Sequence, residues 1–358
     1  ELYLILNKYL KWNKSHLKCF ALIMLVIILK QTCNLSSASK ALPIKCLPQS
    51  FYRRMQRFFA GQYFDYRQIS QLIFNMFSFD QVQLTLDRTN WKWGKRNINI
   101  LMLAIVYRGI AIPILWTLLN KRGNSDTKER IALIQRFIAI FGKDRIVNVF
   151  ADREFIGEQW FTWLIEQDIN FCIRVKKNFI VTNHLGKNHK ISDLFRHLKV
   201  GQIECRKRRI LVGRVKLYIS ALQLENGELL LVVSPQFNAN AIQDCALRWE
   251  IETLFSCLKG RGFNLENTRL TDPRRVKKLI AVLAISFCWC YLTGEWQHDQ
   301  KKAIKIKKHG RLSMSLFRYG LDYVQMAIQR LIGFGKKEEF KEILAILRRQ
   351  NPDRIRVL

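Results

Sequence analysis

The stretch Ile146-Val147-Asn148-Val149-Phe150-Ala151-Asp152 decides how this chain is built. Its first six residues are mostly apolar and β-branched, and such a short run reads as a buried strand. Strands buried on both faces belong to parallel sheets covered by helices. The run stops at Asp152. A carboxylate at the end of a buried strand is costly unless it meets a cation or solvent. In open α/β sheets the carboxyl ends of strands are also where sites form.

Upstream, Val82, Leu84 and Leu86 alternate with Gln81, Gln83, Thr85 and Asp87. That alternation predicts a strand with one polar face, ending in Asp87-Arg88-Thr89-Asn90-Trp91. Ile98–Tyr107 and Ile110–Leu119 follow as apolar strands on either side of Arg108-Gly109. Gly123-Asn124-Ser125-Asp126 reads as a turn and helix cap. The helix after it carries Ile131, Ile134, Phe137, Ile138 and Phe141 on one face and stops at Gly142. Beyond Asp152 come an amphipathic helix over 156–167 and a strand Phe171–Val175. Three strands, helix, strand, helix, strand predicts an α/β layer fold, with 146–151 parallel to the first strand. If those two strands are neighbours, Asp87 and Asp152 converge. Taken singly, each Asp reads first as a turn or cap residue.

A second stretch supplies a third carboxylate. Asn238–Lys259 (NANAIQDCALRWEIETLFSCLK) has no Gly or Pro and is long enough for a core helix. With Cys245 at zero on a wheel of about 100° per residue, Arg248, Glu252 and Lys259 fall at about 300°, 340° and 320°. Leu247, Ile251, Leu254 and Leu258 gather at about 180° to 240° on the same wheel. The charged stripe is either an ordinary solvated face or one carboxylate set between two cations beside an anionic polymer. Together with Asp87 and Asp152, Glu252 favours the second reading. Three nearby carboxylates repel and call for divalent metal, with Mg²⁺ preferring carboxylate and phosphate oxygens. Two such ions can activate a water or a 3′-hydroxyl and stabilise the leaving oxygen.

Composition names the partner. Of 358 residues, 60 are Lys or Arg against 28 Asp or Glu, a formal net charge of +32 spread along the whole chain. A chain so basic resists compaction until a polyanion neutralises it. Nucleic acid is the leading partner, because phosphate neutralisation supplies most nonspecific affinity; an anionic membrane surface is the alternative. The apolar runs Cys19–Leu29 and Leu279–Leu292 fall short of the roughly 18 to 20 residues of a spanning helix and read as buried helices. The first resembles a signal peptide only superficially, since no small-residue cleavage site follows closely. The nine cysteines form no C-x-x-C pair, and the histidines are not spaced as zinc partners. This argues against structural zinc and for buried free thiols in a reducing compartment. The sequence begins at Glu1 without Met, so the natural N-terminus is expected further upstream.

These patterns divide the chain. Residues 1–78 read as a basic helical domain, with Ser50 capping a helix that exposes Arg53, Arg54 and Arg57. A helix-turn-helix and a plain helical bundle both fit this region. Residues 79–175 are the first part of the α/β core. Residues 176–237 are β-rich and basic, with Asn226-Gly227 between Val215–Leu224 and Leu229–Val233 as a hairpin signal. Residues 238–300 return to the core, and 301–358 are helical and basic, opening on the Lys-rich run 301–308.

Three blocks carry a resemblance: Asp87-Arg88-Thr89, Ala151-Asp152-Arg153-Glu154-Phe155, and Arg248-Trp249-Glu250-Ile251-Glu252 followed after six residues by Lys259. They resemble the signature blocks of bacterial insertion-sequence DDE transposases of the cut-and-paste, YREK-signature group (Y-x2-R-x3-E-x6-K). The resemblance implies an α/β fold with a ribonuclease-H-like catalytic core, interrupted by a β-rich insertion and flanked by helical N- and C-terminal regions. It implies that Asp87, Asp152 and Glu252 are catalytic and bind two Mg²⁺ or Mn²⁺ ions. Strand cleavage, hairpin formation and strand transfer would follow at the ends of a double-stranded DNA element. Arg248 and Lys259 would grip phosphates. Trp249 would stack on a displaced base, although a core Trp fits that position equally. Arg174 and Lys176 are further DNA-contact candidates. Residues 1–78 would recognise terminal inverted repeats through Arg53, Arg54 and Arg57. The C-terminal helices would pair two protomers in the DNA complex, with no membrane association and a cytoplasmic, nucleoid-associated location. Cys245 departs from the pattern, which has Tyr there; a thiol is shorter and a weaker donor than a phenol. A catalytically impaired DNA-binding relative and a ribonuclease-H-fold nuclease without strand transfer are the alternative readings.

Overall fold

The computed structural model describes residues 1–43, 46–182, 186–308 and 310–348. They divide into two compact units. One comprises 80–90 and 99–253; the other comprises 1–79, 91–98 and the described residues from Leu254 onward. The helices in chain order are α1 (Leu2–Asn7), α2 (Lys14–Lys30), α3 (Leu35–Ala38), α4 (Pro48–Gly61), α5 (Tyr66–Met76), α6 (Thr127–Phe141), α7 (Glu158–Glu166), α8 (Ala241–Ala246), α9 (Glu250–Leu258), α10 (Pro273–Gln300), α11 (Leu316–Phe334) and α12 (Glu338–Arg348). The strands are β1 (Val82–Trp93), β2 (Arg96–Tyr107), β3 (Ile110–Leu118), β4 (Ile146–Ala151), β5 (Phe171–Val175), β6 (Ile180–Thr182), β7 (Asn188–Lys190), β8 (Ile203–Cys205), β9 (Ile210–Val212), β10 (Val215–Gln223) and β11 (Leu229–Ser234).

The sheet runs β3-β2-β1-β4-β5-β11-β10-β9-β6-β7, with β8 on β10. β1 pairs with β4, and β4 with β5, in parallel; β2 and β3 are antiparallel. Helices α6 and α7 make the two crossovers that parallel pairing requires. A meander followed by two parallel strands, in the order 3-2-1-4-5, is the ribonuclease-H-like arrangement. Asp126 starts α6 through a capping box with Glu129, and Gly142 ends it. The insertion does not stand apart from this sheet. Its strand β11 adds antiparallel to the free edge of β5, with Val232 opposite Arg174. The unpaired backbone groups of a strand edge favour that addition.

Three local expectations are corrected. β1 does not end at Asp87 but continues to Trp93; only its pairing with β4 ends there, at Leu86 opposite Ala151. The stretch 238–259 is not one α-helix: a 3-10 turn, Leu247–Trp249, separates α8 from α9. Leu247 and Glu250 keep right-handed helical dihedrals, so the direction is preserved. Ser50 is no cap. Pro48 occupies the first turn of α4 and Leu47 is the N-cap residue, because proline's fixed φ suits that position.

In the helical unit α10 packs against α2, α4, α5, α11 and α12. It is long and apolar enough to cross a membrane, yet 89% of its apolar window is buried by that packing. The apolar run is therefore a core helix, longer than its sequence signal. α10 and α11 approach through two glycines: a Cβ on Gly294 would overlap the Leu316 carbonyl, and one on Gly320 would overlap the Cys290 carbonyl. All nine cysteines are free thiols, and seven are buried. Gly320→Ala is expected to destabilise the chain by at least about 2 kcal/mol, the scale of overpacking a core. A lower urea midpoint at unchanged slope is the expected measurement.

Candidate active site

The register of β1 on β4 sets Leu86 opposite Ala151. The next residues, Asp87 within β1 and Asp152 just past β4, therefore lie side by side where the parallel pairing ends. Asp87 accepts the Arg88 backbone N–H at 2.7 Å and Arg248 Nη1 at 3.3 Å. Burial pushes its carboxyl up to about 7 against the pull of those two donors, and the charges of Glu154 and Asp152 add to the rise. Asp152 Oδ1 is buried and has no hydrogen-bond partner. A buried acceptor without a donor is uncommon in folded chains. Together these make a carboxylate pair short of positive charge.

Arg248 supplies part of it. This residue is only 4% exposed and bridges Asp87 at 3.3 Å and Glu252 at 3.0 Å. One guanidinium thus ties the sheet carboxylate to the helix carboxylate one turn on. The wheel put Arg248 and Glu252 on one stripe, but only Glu252, 59% exposed at its side chain, reaches solvent. Among the described residues, no group of three or more His, Cys, Asp or Glu closes into a metal-binding cluster. Arg248 lies between two of the three expected ligands. The donor set still fits a divalent cation at Asp87 and Asp152, where a buried oxygen is unpartnered and a carboxyl is raised.

The other candidates are dispersed. Trp249 is 56% exposed and is not a core residue. Lys259 belongs to the helical unit, where it pairs with Glu266 at 2.7 Å. Arg174 on β5 is held by Glu228 at 2.6 Å, and Arg153 approaches the same carboxylate at 3.6 Å. Lys176, just past β5, is exposed. Arg53 and Arg57 are exposed on α4, while Arg54 is half-buried and donates to the Ser15 carbonyl at 3.2 Å. Cys245 is 5% exposed and packs with Val106, Phe150, Cys172, Val232, Ala241 and Ile242. Burial pushes its thiol up to about 12, so it is a protonated core group.

Residues that sequence reasoning passed over hold the two Asp-bearing segments together. Arg88 makes two bonds to Glu154, each 3.2 Å, and also donates to Asn99 at 3.1 Å and Asn124 at 3.3 Å. Buried Asn99 in turn donates to the Lys121 and Gly123 carbonyls, both at 3.0 Å. Arg130, 4% exposed, donates to the Glu154 carbonyl at 2.9 Å and to Ser125 Oγ at 3.0 Å, and lies over the Phe155 ring. The available signal was the opposite charge of Arg88 and Glu154 directly beside Asp87 and Asp152. Glu250, also passed over, accepts the Tyr107 N–H at 2.8 Å and the Gly109 N–H at 2.9 Å across the β2–β3 turn. Burial pushes its carboxyl up to about 7.

The family described as "Transposase DDE domain" matches residues 78–289. The chain belongs to the DDE transposase family. It is therefore a phosphoryl-transfer enzyme of DNA transposition. No curated protein matches the sequence of this transposase. Among solved structures, the piggyBac transposase synaptic complex with hairpin DNA is similar at 13% identity. That match covers 95% of this chain and 78% of the other, with a TM-score of 0.48.

Glu154→Ala should leave the Arg88 guanidinium without its carboxylate partner and lower stability by on the order of 3 kcal/mol, the cost of breaking a largely buried pair. Urea unfolding measures it, and Glu154→Asp should recover part of the loss. Glu250 has its folded pKa raised from 4.5 to about 7, so the folded chain holds this proton more tightly than the unfolded chain. That contribution is complete below about pH 4.5 and is lost as pH rises through 7. Glu250→Gln should therefore flatten the fall in unfolding free energy between about pH 5 and 8.

Proposed function

We propose that this transposase cuts and joins double-stranded DNA at Asp87, Asp152 and Glu252, at the terminal inverted repeats of an insertion sequence. The observation that carries the reading is the unpartnered, buried Asp152 Oδ1 beside the burial-raised Asp87 carboxyl, where the parallel strands β1 and β4 stop pairing. Asp87 and Asp152 would hold Mg²⁺ or Mn²⁺, with Glu252 as the third ligand for a pair of ions. When bound, such ions activate a water or 3′-hydroxyl and stabilise the leaving oxygen. Arg248 then exchanges carboxylate for phosphate, a charge-assisted fork that suits phosphate geometry. Lys259 would supply a second phosphate contact. Exposed Trp249 is available for a displaced base during hairpin formation, since every base has a face on which an aromatic ring can stack. Lys176, and Arg174 once released from Glu228, extend the phosphate track. Arg53 and Arg57, with Arg54 behind them, contact the inverted repeat, and the C-terminal helices pair two protomers. This reading places the enzyme in the cut-and-paste YREK group of bacterial insertion sequences, working at the nucleoid.

A second reading is favoured by Cys245. The phenol of the signature is missing, and the thiol in its place is buried and protonated. End binding without hairpin formation would follow from the lost donor.

Asp152→Ala should abolish metal-dependent cleavage of a donor carrying the element's ends while leaving duplex binding within about twofold, because no phosphate-gripping cation is removed. It should also abolish the rise in melting temperature that Mn²⁺ gives the parent chain, since only native-state ligands stabilise by mass action. Cleavage surviving in the variant would reject the site.

A further inference from the structure

The Lys-rich run that opens the C-terminal region is not absorbed by the site. Between α10 and α11 it folds back as a short two-stranded hairpin. Lys305 accepts the Ser313 N–H and Lys307 the reverse bond to Arg311, each at 2.8 Å, around an antiparallel bridge of Ile306 with Leu312. Side chains alternate across such a ribbon. Lys305, Lys307 and Arg311 therefore share one face, and Ile306 with Leu312 takes the other. The base of the ribbon is fixed. Ile304 is buried and donates its N–H to His298 Nδ1 at 2.8 Å. The Lys302 carbonyl accepts the Tyr319 hydroxyl at 3.0 Å, and Lys301 Nζ is bound by Glu342 at 2.7 Å.

The charge on this ribbon is uncompensated. Lys302, Lys305, Lys307, Lys308 and Arg311 are all exposed, and none makes an ion pair among the described residues. Other cations of the same region do: Arg318 pairs with Asp322, and Arg330 with Glu339. The segment 302–315 contains no Asp or Glu. Like charges held within a Debye length, about 8 Å at physiological salt, repel one another until a polyanion neutralises them. An ordered backbone carrying that repulsion is suited to a ligand of dense negative charge.

We infer that the Lys305–Lys307–Arg311 face of this hairpin grips the phosphate backbone of duplex DNA. The choice of DNA rests on the transposase reading. Contacts of this kind position a duplex and carry no sequence information. They would give the C-terminal region a hold on DNA in addition to the pairing of protomers proposed for it.

The test compares two full-length variants that remove equal charge from the same region: Lys305→Gln/Lys307→Gln/Arg311→Gln, and the control Lys336→Gln/Lys337→Gln/Lys341→Gln, whose lysines are also exposed. Binding to a random-sequence duplex is measured against salt. Three lost phosphate contacts lower the slope of log K on log salt by about 2.7, so the parent-to-variant affinity ratio shrinks about 40-fold from 50 to 200 mM salt. The control should keep the parent slope. An unchanged slope in the hairpin variant, or an equal loss in the control, overturns the inference. So does a hairpin variant that keeps its DNA slope but no longer binds anionic phospholipid vesicles, which would identify a membrane surface as the ligand. Metal-dependent donor cleavage by the parent is assayed in parallel. Cleavage with no hairpin effect on the slope rejects the hairpin alone, while a slope effect without cleavage rejects the catalytic reading alone.

Discussion

Buried carboxylates must find positive charge, and that constraint organises the sheet-bearing unit. Asp87, within β1, and Asp152, just past β4, lie where β1 and β4 stop pairing. Glu154 follows two residues later. The unit answers with arginines rather than lysines: Arg248 on Asp87 and Glu252, Arg88 on Glu154, and Arg130 on the Glu154 backbone. A planar fork satisfies several acceptors at once and is less strongly hydrated than an ammonium, so it is the cheaper cation to bury. Asp152 Oδ1 is left buried without a hydrogen-bond partner. On the proposed reading, that unpartnered oxygen is where a further cation would bind.

The same constraint explains how Glu154 and Asn99 hold the segments that carry Asp87 and Asp152. Asp87 is followed at once by Arg88, and Asp152 is followed two residues later by Glu154. The Arg88–Glu154 pair thus ties the two segments just beyond the two aspartates. Asn99 fixes Arg88 from β2 and is itself fixed by the Lys121 and Gly123 carbonyls. Rotamer freedom at Arg88 is removed by packing and polar contacts together, which is how a site is held to the tolerance its chemistry needs.

Much of this was legible in the sequence, and the failures have a common cause. Periodicity located β2, β3, β4, β5 and α6 closely, because each is long or strongly apolar and has local stop signals. Asp87 reads as a strand end because polar Arg88 stands where the alternation calls for the next apolar residue. The strand in fact continues along β2, a partner that periodicity does not report. The helical wheel gave the direction of Arg248 but not its depth. Its burial depends on Asp87, which is remote in sequence. The addition of β11 to β5 is likewise a non-local pairing. Ser50 failed for a local reason: Pro48 takes the first helical turn whether or not a better cap follows.

Charge balance links Arg248 to the proposed chemistry. Asp87, Asp152 and Glu252 carry three negative charges when ionised, against one positive charge on Arg248. A single divalent cation brings these four groups to neutrality. A pair leaves an excess of two positive charges, which phosphates of a bound strand would cancel. Arg248 therefore serves best as a partner of the carboxylates before the cations arrive and as a partner of phosphate afterwards. Burial raises the Asp87 carboxyl to about 7 even though Arg248 pulls it down, so the single guanidinium does not offset the desolvation of this group. Burial of the guanidinium at 4% exposure keeps it desolvated in either role, and desolvation strengthens whichever pairing it makes. Arg248 thus pairs with Asp87 and Glu252 in this structure, and on the proposed reading it would turn to a DNA phosphate once cations are bound.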